Sequence, residues 1–336
     1  MPPFKTSRHR TMKQVKRMMD KAWKLMYFVS EFFRDMLRFI RHNGYSPLES
    51  RNKKLFYKIL IETHTVEKGL SLKEPKPLFG KDKINAIIHM LNEYDRSYSA
   101  LPLEMALGAF QGYLDLHRTL GISDDFVFYL DAYVEHLKRD GTLGTGGIKR
   151  AAPWLGNGGL DAKAFLQSRS SCRMFQAGKI DRHLLTSLVE LAQSSPSQCN
   201  RQSSRVHVYQ DRAVIAQLLD LQGGSRGFAQ SVDNLFVVTS EVTAWGGAGQ
   251  RNQLYVDGAL FSMGLLLACH ANGLGACPLN LAVLNSVENK IRSIGAIAAS
   301  ERLIMMIAVG LPLESHFRAA RSPRRLTTEV LQLHGG

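Results

Sequence analysis

This 336-residue sequence predicts an all-α N-terminal region followed by an α+β domain. Three observations carry that expectation. Up to about residue 140, the segments with regular apolar spacing read as helices. A Gly-rich stretch, 141–164, then interrupts the pattern. Beyond it, β-branched and alternating runs mix irregularly with helical periods, which is the mark of a layered α+β domain. The expected organisation is therefore a basic helical arm (1–45), a helical domain (46–140), a linker (141–164) and a folded domain (165–336).

Residues 11–42 read as one helix. Met19, Trp23, Met26, Phe33, Met36 and Ile40 share one face, and Arg17, Lys21, Lys24, Glu31, Arg34, Arg38 and Arg41 share the other. Two readings stand: a helix docked on the body or across a dimer, and a helix in peripheral contact with an anionic membrane. Asn43-Gly44 and Pro47 end it. A second helix is expected from Arg51 to about Glu67, stopped at Gly69. Within it, His64 and Glu67 are spaced for a polar contact. The segment His64–Ser71 and the Pro75–Gly80 loop after it can be packing elements or a cover for the active site. Three further helices follow at 81–98, 103–120 and 123–139, the last capped by Ser123 with Asp124 and Asp125 in its first turn.

After the Gly-rich stretch, Arg182–Gln193 is expected as a helix, Arg205–Tyr209 as a strand and Asp211–Leu221 as a helix. Asn234–Ser240 reads as a central strand, and Leu303–Val309 as another. Gln253–Asn272 is apolar nearly all round and is expected to be a buried helix.

Charge is uneven. The chain carries +14, yet residues 1–60 alone hold 15 Lys/Arg against 4 Asp/Glu. The basic character thus belongs to the N-terminal arm, which suits an anionic surface. No nucleic-acid motif accompanies it. Cys172, Cys199, Cys269 and Cys277 lack metal-ligand spacing, so no metal site or disulfide framework is expected, and the thiols suggest a reducing, cytoplasmic setting. Neither a transmembrane helix nor a signal peptide is expected.

Four motifs are spaced along the C-terminal domain. Arg169-Ser170-Ser171-Cys172-Arg173 places short donors and fixed charge just before a helix, which suits a phosphate. Pro196-Ser197-Gln198-Cys199-Asn200 is a polar turn, with donors and acceptors on Asn200. Gly273-Leu274-Gly275-Ala276-Cys277-Pro278-Leu279-Asn280 follows the long apolar helix, and its glycines allow close backbone approach to a flat ligand or serve as a helix cap. Ser322-Pro323-Arg324-Arg325 lies near the C-terminus. In this order, from Phe165 to Val330, they resemble the FMN-dependent nitroreductase family. The "EKGLS…P…FG" stretch resembles a subgroup with an N-terminal helical extension, members of which occur near polysaccharide-biosynthesis functions.

The resemblance implies a three-layer α-β-α sandwich with a mixed sheet, FMN as cofactor, NADH or NADPH as electron donor, and a homodimer with the flavin at its interface. It assigns phosphate and flavin contacts to Arg169, Ser170, Ser171, Arg173, Arg324 and Arg325. It places Pro196, Ser197, Gln198 and Asn200 on the flavin from the partner subunit, and Pro278, Leu279 and Asn280 beside the isoalloxazine. The family's Asn before the central strand has no counterpart in Gly223-Gly224-Ser225-Arg226. The implied reaction is ping-pong hydride transfer to an organic acceptor, nitroaromatic or quinone-like in vitro, with the cofactor carrying the chemistry and no side chain singled out as catalytic. The competing expectation is a flavin-binding but catalytically idle module, docked to a membrane or biosynthetic assembly by its basic arm.

Overall fold

Among the described residues, four aspartates start helices, and the helix from Asp125 is capped by Asp124, not by Ser123. Asp124, Asp161, Asp181 and Asp211 each accept hydrogen bonds from backbone N–H groups of the first turn, at 2.8 to 3.1 Å. The computed structural model describes residues 6–70, 75–148, 161–313 and 326–335. Its helical region comprises α1 (Thr6–His42), α2 (Arg51–Leu70), α3 (Lys81–Glu93), α4 (Leu101–Thr119) and α5 (Asp125–Arg139). The rest comprises α6 (Ala162–Ser168), α7 (Arg182–Ala192), β1 (Ser204–Tyr209), α8 (Arg212–Gln222), β2 (Asn234–Glu241), α9 (Gln253–Ala271), β3 (Gly275–Asn280), α10 (Asn285–Gly295), β4 (Glu301–Gly310) and α11 (Thr327–Val330).

The sheet runs in the order β1-β2-β4-β3, and each of its ladders is antiparallel. One parallel pairing adds to it at the β3 edge, the isolated bridge Ser171 to Ala276. Side-chain alternation along the central strands builds two cores. Leu235, Val237, Met306 and Ala308 face one side, against Ile215 and Leu218 of α8 and Ile291 of α10. Phe236, Val238, Ile307 and Val309 face the other, against Leu188 of α7 and Leu265 of α9. The result is the three-layer α-β-α sandwich that the motifs led one to expect. β2 is buried along its whole length, with the apolar run Leu235–Val238 between polar residues that are themselves buried.

The helical region has its own dense core, centred on Ile59, Leu60, Ile84, Leu107, Phe110 and Leu130. That core is continuous with Val242, Trp245 and Leu254, which follow β2 or open α9, so the helices are welded onto the sandwich. Gly69 does not stop α2, which continues to Leu70. A side chain at Gly69 would instead collide with the Phe79 ring, and that close seating is what the glycine serves. Glu67 accepts from Gly147 N–H at 2.9 Å and contacts His64 at 3.1 Å, while Leu78 N–H donates to His117 at 2.9 Å. The segment from His64 to Leu70 is thus a packing element; Ser71 lies outside the described residues. The first part of the expected linker packs likewise. Gly146 and Gly147 cross α4 at Gly108, where a Cβ would have no room, and Thr145 N–H bonds to Glu104 O at 2.9 Å.

α9 departs from the expectation of complete burial. Leu254, Phe261, Leu265 and Cys269 are buried, but Val256, Leu260 and Met263 are exposed and Leu267 is half-buried. Spacing at 256, 260, 263 and 267 makes these one apolar stripe. By length and composition, Ala248–Ala271 could also cross a bilayer, but its buried half packs on β2, β3 and β4 as a core helix.

Candidate functional site

The Arg169–Arg173 motif leaves the C-terminus of α6 in extended conformation and runs past the start of β3. Ser171 bridges Ala276, and Cys172 N–H donates to Ala276 O at 3.0 Å. Phe175 then bridges Pro312, and Gln176 N–H donates to Leu311 O at 2.8 Å. One short segment therefore ties the β3 edge to the tail that follows β4. Arg169, Ser170 and Ser171 are half-buried, and Arg173 is exposed. Arg324 and Arg325, the other cations assigned to the phosphate, lie outside the described residues.

β3 carries Pro278, Leu279 and Asn280 at the edge of the sheet. Because Ala276 O faces away from β4, strand alternation turns Pro278 and Asn280 outward as well. Gln222 Nε2 reaches Asn280 O at 3.1 Å, as that parity requires. Pro278 has no N–H, so the outward backbone donor on this stretch is that of Asn280. Leu279 points its side chain into the core. The glycines of the motif serve packing and capping. Gly275 accommodates Cys172, whose Sγ lies 2.6 Å from where a Cβ would sit, and Gly273 ends α9 at φ 69° with open space around it. Burial pushes the Cys172 and Cys277 thiols up, so neither is poised as a thiolate nucleophile.

The Pro196–Asn200 turn lies elsewhere, between α9 and the helical region. Asp257 organises it. This buried carboxylate accepts from Ser197 Oγ at 2.7 Å, from Gln198 N–H at 3.0 Å and from Gln253 Nε2 at 2.9 Å. Ser197 Oγ in turn accepts from Gln202 N–H at 2.9 Å. The constraint holds Cys199, Asn200 and Gln202 at φ 51–53°, in the left-handed region that side-chain-bearing residues avoid. Asn200 is half-buried, and among the described residues its Nδ2 meets only the weak acceptor Met105 Sδ, at 3.7 Å. Pro196 and Gln198 are exposed. Arg201 is buried beneath the turn, with its guanidinium 5.0 Å from the Trp245 ring centre. A cleft of about 500 Å³ opens beside the turn, between Phe56 and Tyr98 of the helical region and Ser197, Gln202 and Arg205.

Two of the three described motifs are thus joined directly, and the third stands apart. From Asp257, which holds the turn, to Ala271, which precedes the glycines, α9 spans about 20 Å at the helical rise. Asn234 opens the central strand, but its amide is fully engaged with Gly178, Ile180, Gln210 and Val309 inside the core. It is a structural residue. Asp257 was not singled out in the sequence. The signal for it was there, as the one acidic residue in the otherwise apolar α9. Among the described residues, no group of His, Cys, Asp and Glu is arranged to hold a metal ion.

Residues 166–230 match the model of the nitroreductase family, a span that includes both Arg169–Arg173 and Pro196–Asn200. The match covers that segment of the C-terminal domain and not the helical region before it. Among solved structures it is similar to an FMN-dependent nitroreductase from Clostridium difficile, at 16% identity and TM-score 0.44, over 52% of this chain and 99% of that one. It is also similar to a nitroreductase-like protein from Streptococcus mutans, at 19% identity and TM-score 0.45, over 52% and 98%. A nitroreductase family protein from Clostridium novyi follows at 20% identity and TM-score 0.40, over 46% and 87%. No curated protein matches the sequence.

Proposed function

We propose that this protein is an FMN-dependent oxidoreductase that takes hydride from NADH or NADPH and delivers it to an organic acceptor, nitroaromatic or quinone-like in vitro. The observation that carries the reading is the Ser171–Ala276 bridge, which sets the Arg/Ser motif against the edge of β3. The donor set there fits FMN. Arg169 and Arg173 provide fixed charge for a phosphate, Ser170 and Ser171 provide short hydroxyl donors, and Asn280 provides an outward N–H from a rigid strand. Bound FMN supplies the hydride chemistry, at N5. The chain's part is to hold the phosphate, aim a backbone donor at the ring edge and exclude side reactions by packing.

The working unit is a homodimer in this reading. Asn200 leads into β1, one edge strand of the sheet, and Asn280 lies on β3, the other, so β2 and β4 stand between them in one chain. A two-fold axis beside the exposed stripe Val256, Leu260, Met263 and Leu267 would cover that stripe and bring the partner's turn to the β3 edge. Asp257 would then serve as a positioning residue, fixing the turn so that the Asn200 amide meets the ring.

The test is the visible spectrum of the purified protein, followed by heat release of any chromophore and by NAD(P)H oxidation assays. A flavin spectrum, released FMN and turnover uphold the proposal. Retained FMN without NADH or NADPH oxidation would instead favour the idle, docked module, a reading motivated by the exposed apolar face of α1. A colourless protein that takes up no FMN overturns both.

A further inference from the structure

α1 is docked by its charged face. Glu31 accepts from Asn285 N–H and Nδ2 at 2.7 Å, Arg38 pairs with Glu288 at 3.1 Å, and Asp35 pairs with Arg302 at 2.9 Å. Residues 30, 31, 35, 38, 39 and 42 are the ones shielded in this half, and 31, 35, 38 and 42 have the spacing of one helical face. The opposite face, with Val29, Phe33, Met36, Leu37 and Ile40, is exposed. It continues along the same line through Met26, Met19 and Val15. From 15 to 27 every residue is exposed, Met19 and Trp23 at 66% each. An amphipathic helix that spent its apolar face on its own core would show the reverse arrangement.

We propose that α1 is an interfacial anchor whose apolar stripe lies in an anionic lipid surface, while its charged face holds the rest of the protein against that surface. The geometry of the cations supports a lipid partner. Lys16, Arg34 and Arg41 flank the stripe on one side and Lys21 on the other, where long stems reach headgroups as the stripe enters the acyl boundary. Asp20, Glu31 and Asp35, the acidic residues of α1, fall on the opposite face, and the last two are engaged by the body. The surface offered outward is therefore apolar with a cationic border. A second copy of the stripe is a poorer match at this face, because it would set the same border of Lys16, Lys21, Arg34 and Arg41 against itself. Apolar surface also extends from the helix onto the body. A groove of about 570 Å³ runs between Met36 and Ile40 of α1 and Leu254 and Tyr255 of α9.

The experiment is flotation of the full-length protein with vesicles of phosphatidylcholine, with and without phosphatidylglycerol, alongside light scattering for mass. The expected result is binding that requires phosphatidylglycerol, weakens with salt, and falls at least ten-fold in Met19→Ser/Met26→Ser and in Lys16→Glu/Lys21→Glu. Both double variants should keep the wild-type melting temperature, because all four positions are exposed. Failure of the wild type to float on phosphatidylglycerol vesicles overturns the proposal. So does a smaller oligomer in Met19→Ser/Met26→Ser with flotation unchanged, which would assign the stripe to a second copy. Flotation reads no flavin, so this inference and the oxidoreductase reading can fail separately.

Discussion

Ser197 donates its hydroxyl to Asp257 at 2.7 Å, and the same carboxylate oxygen receives Gln198 N–H at 3.0 Å. A turn with left-handed backbone at Cys199, Asn200 and Gln202 costs free energy, on the order of 1 to 3 kcal/mol per strained residue, and a buried carboxylate bonded to it offsets part of that. Asp257→Ala should therefore lower stability by about 2 kcal/mol and release the turn, while Asp257→Asn retains part of the bonding. Thermal melts and FMN titrations check this. FMN affinity should fall in the Ala variant by more than the loss of stability explains.

Arg169 is half-buried, and among the described residues no carboxylate pairs with it, which leaves its charge available to an oxyanion. Arg169→Ala is expected to weaken FMN binding by roughly 1.5 to 3 kcal/mol, the worth of a charged hydrogen bond, or about ten- to a hundred-fold. Arg169→Lys should recover only part of it, since an ammonium cannot bind two phosphate oxygens in one plane. Fluorescence of released flavin measures both.

Gly275 and Cys172 share a space that holds one side chain. A Cβ at 275 would lie 2.6 Å from Cys172 Sγ, so Gly275→Ala should destabilise by about 1 to 3 kcal/mol through overpacking. Cys172→Ala in the same chain should restore only the part of that loss due to Sγ, because the Cβ of residue 172 would still lie 2.7 Å from the new one. A double-mutant cycle on melting midpoints measures the coupling, and additive effects would contradict the packing account.

The docking of α1 should depend on acid. Burial pushes the Glu288 carboxyl up, but Arg302, Arg38 and Arg292 outweigh it and hold it below the ordinary carboxylate range. A depressed folded value means the stabilisation is complete above the unfolded value, near 4.3, and is lost as pH falls through the folded one. Hydrogen exchange across residues 29–42 should accelerate below about pH 4. Glu288→Gln should cause the same loosening at neutral pH, by about 3 kcal/mol, because three guanidiniums lose their shared counter-charge.

What the sequence disclosed follows from the kind of signal each element has. β2 and β4 were legible because Leu235–Val238 and Met306–Val309 are apolar runs that only a doubly covered strand needs. β3 was not, since Gly-Ala-Cys-Pro has weak strand preference and becomes a strand only through pairing with β4. α6 lay hidden at the end of a Gly-rich stretch, and its start rests on one residue, Asp161. Periodicity identified both faces of α1 correctly but cannot say which one docks. That depends on Asn285, Glu288 and Arg302, far along the chain. The motifs at Arg169–Arg173 and Pro278–Asn280 were readable as residues, yet their junction at Ser171 and Ala276 needed the fold. Asp257 escaped because the turn it organises is some 60 residues away.

The central claim is a flavin site shared between two chains, and a mixed dimer tests it most directly. Arg169→Ala damages one side of the site and Asn200→Ala the other. Each variant alone should bind little FMN. In a purified heterodimer of the two, one site carries both lesions and the other carries none. The account predicts that this heterodimer recovers one tightly bound FMN per dimer. A heterodimer that binds no more flavin than its parents would contradict it, because a site built within a single chain cannot be repaired by pairing.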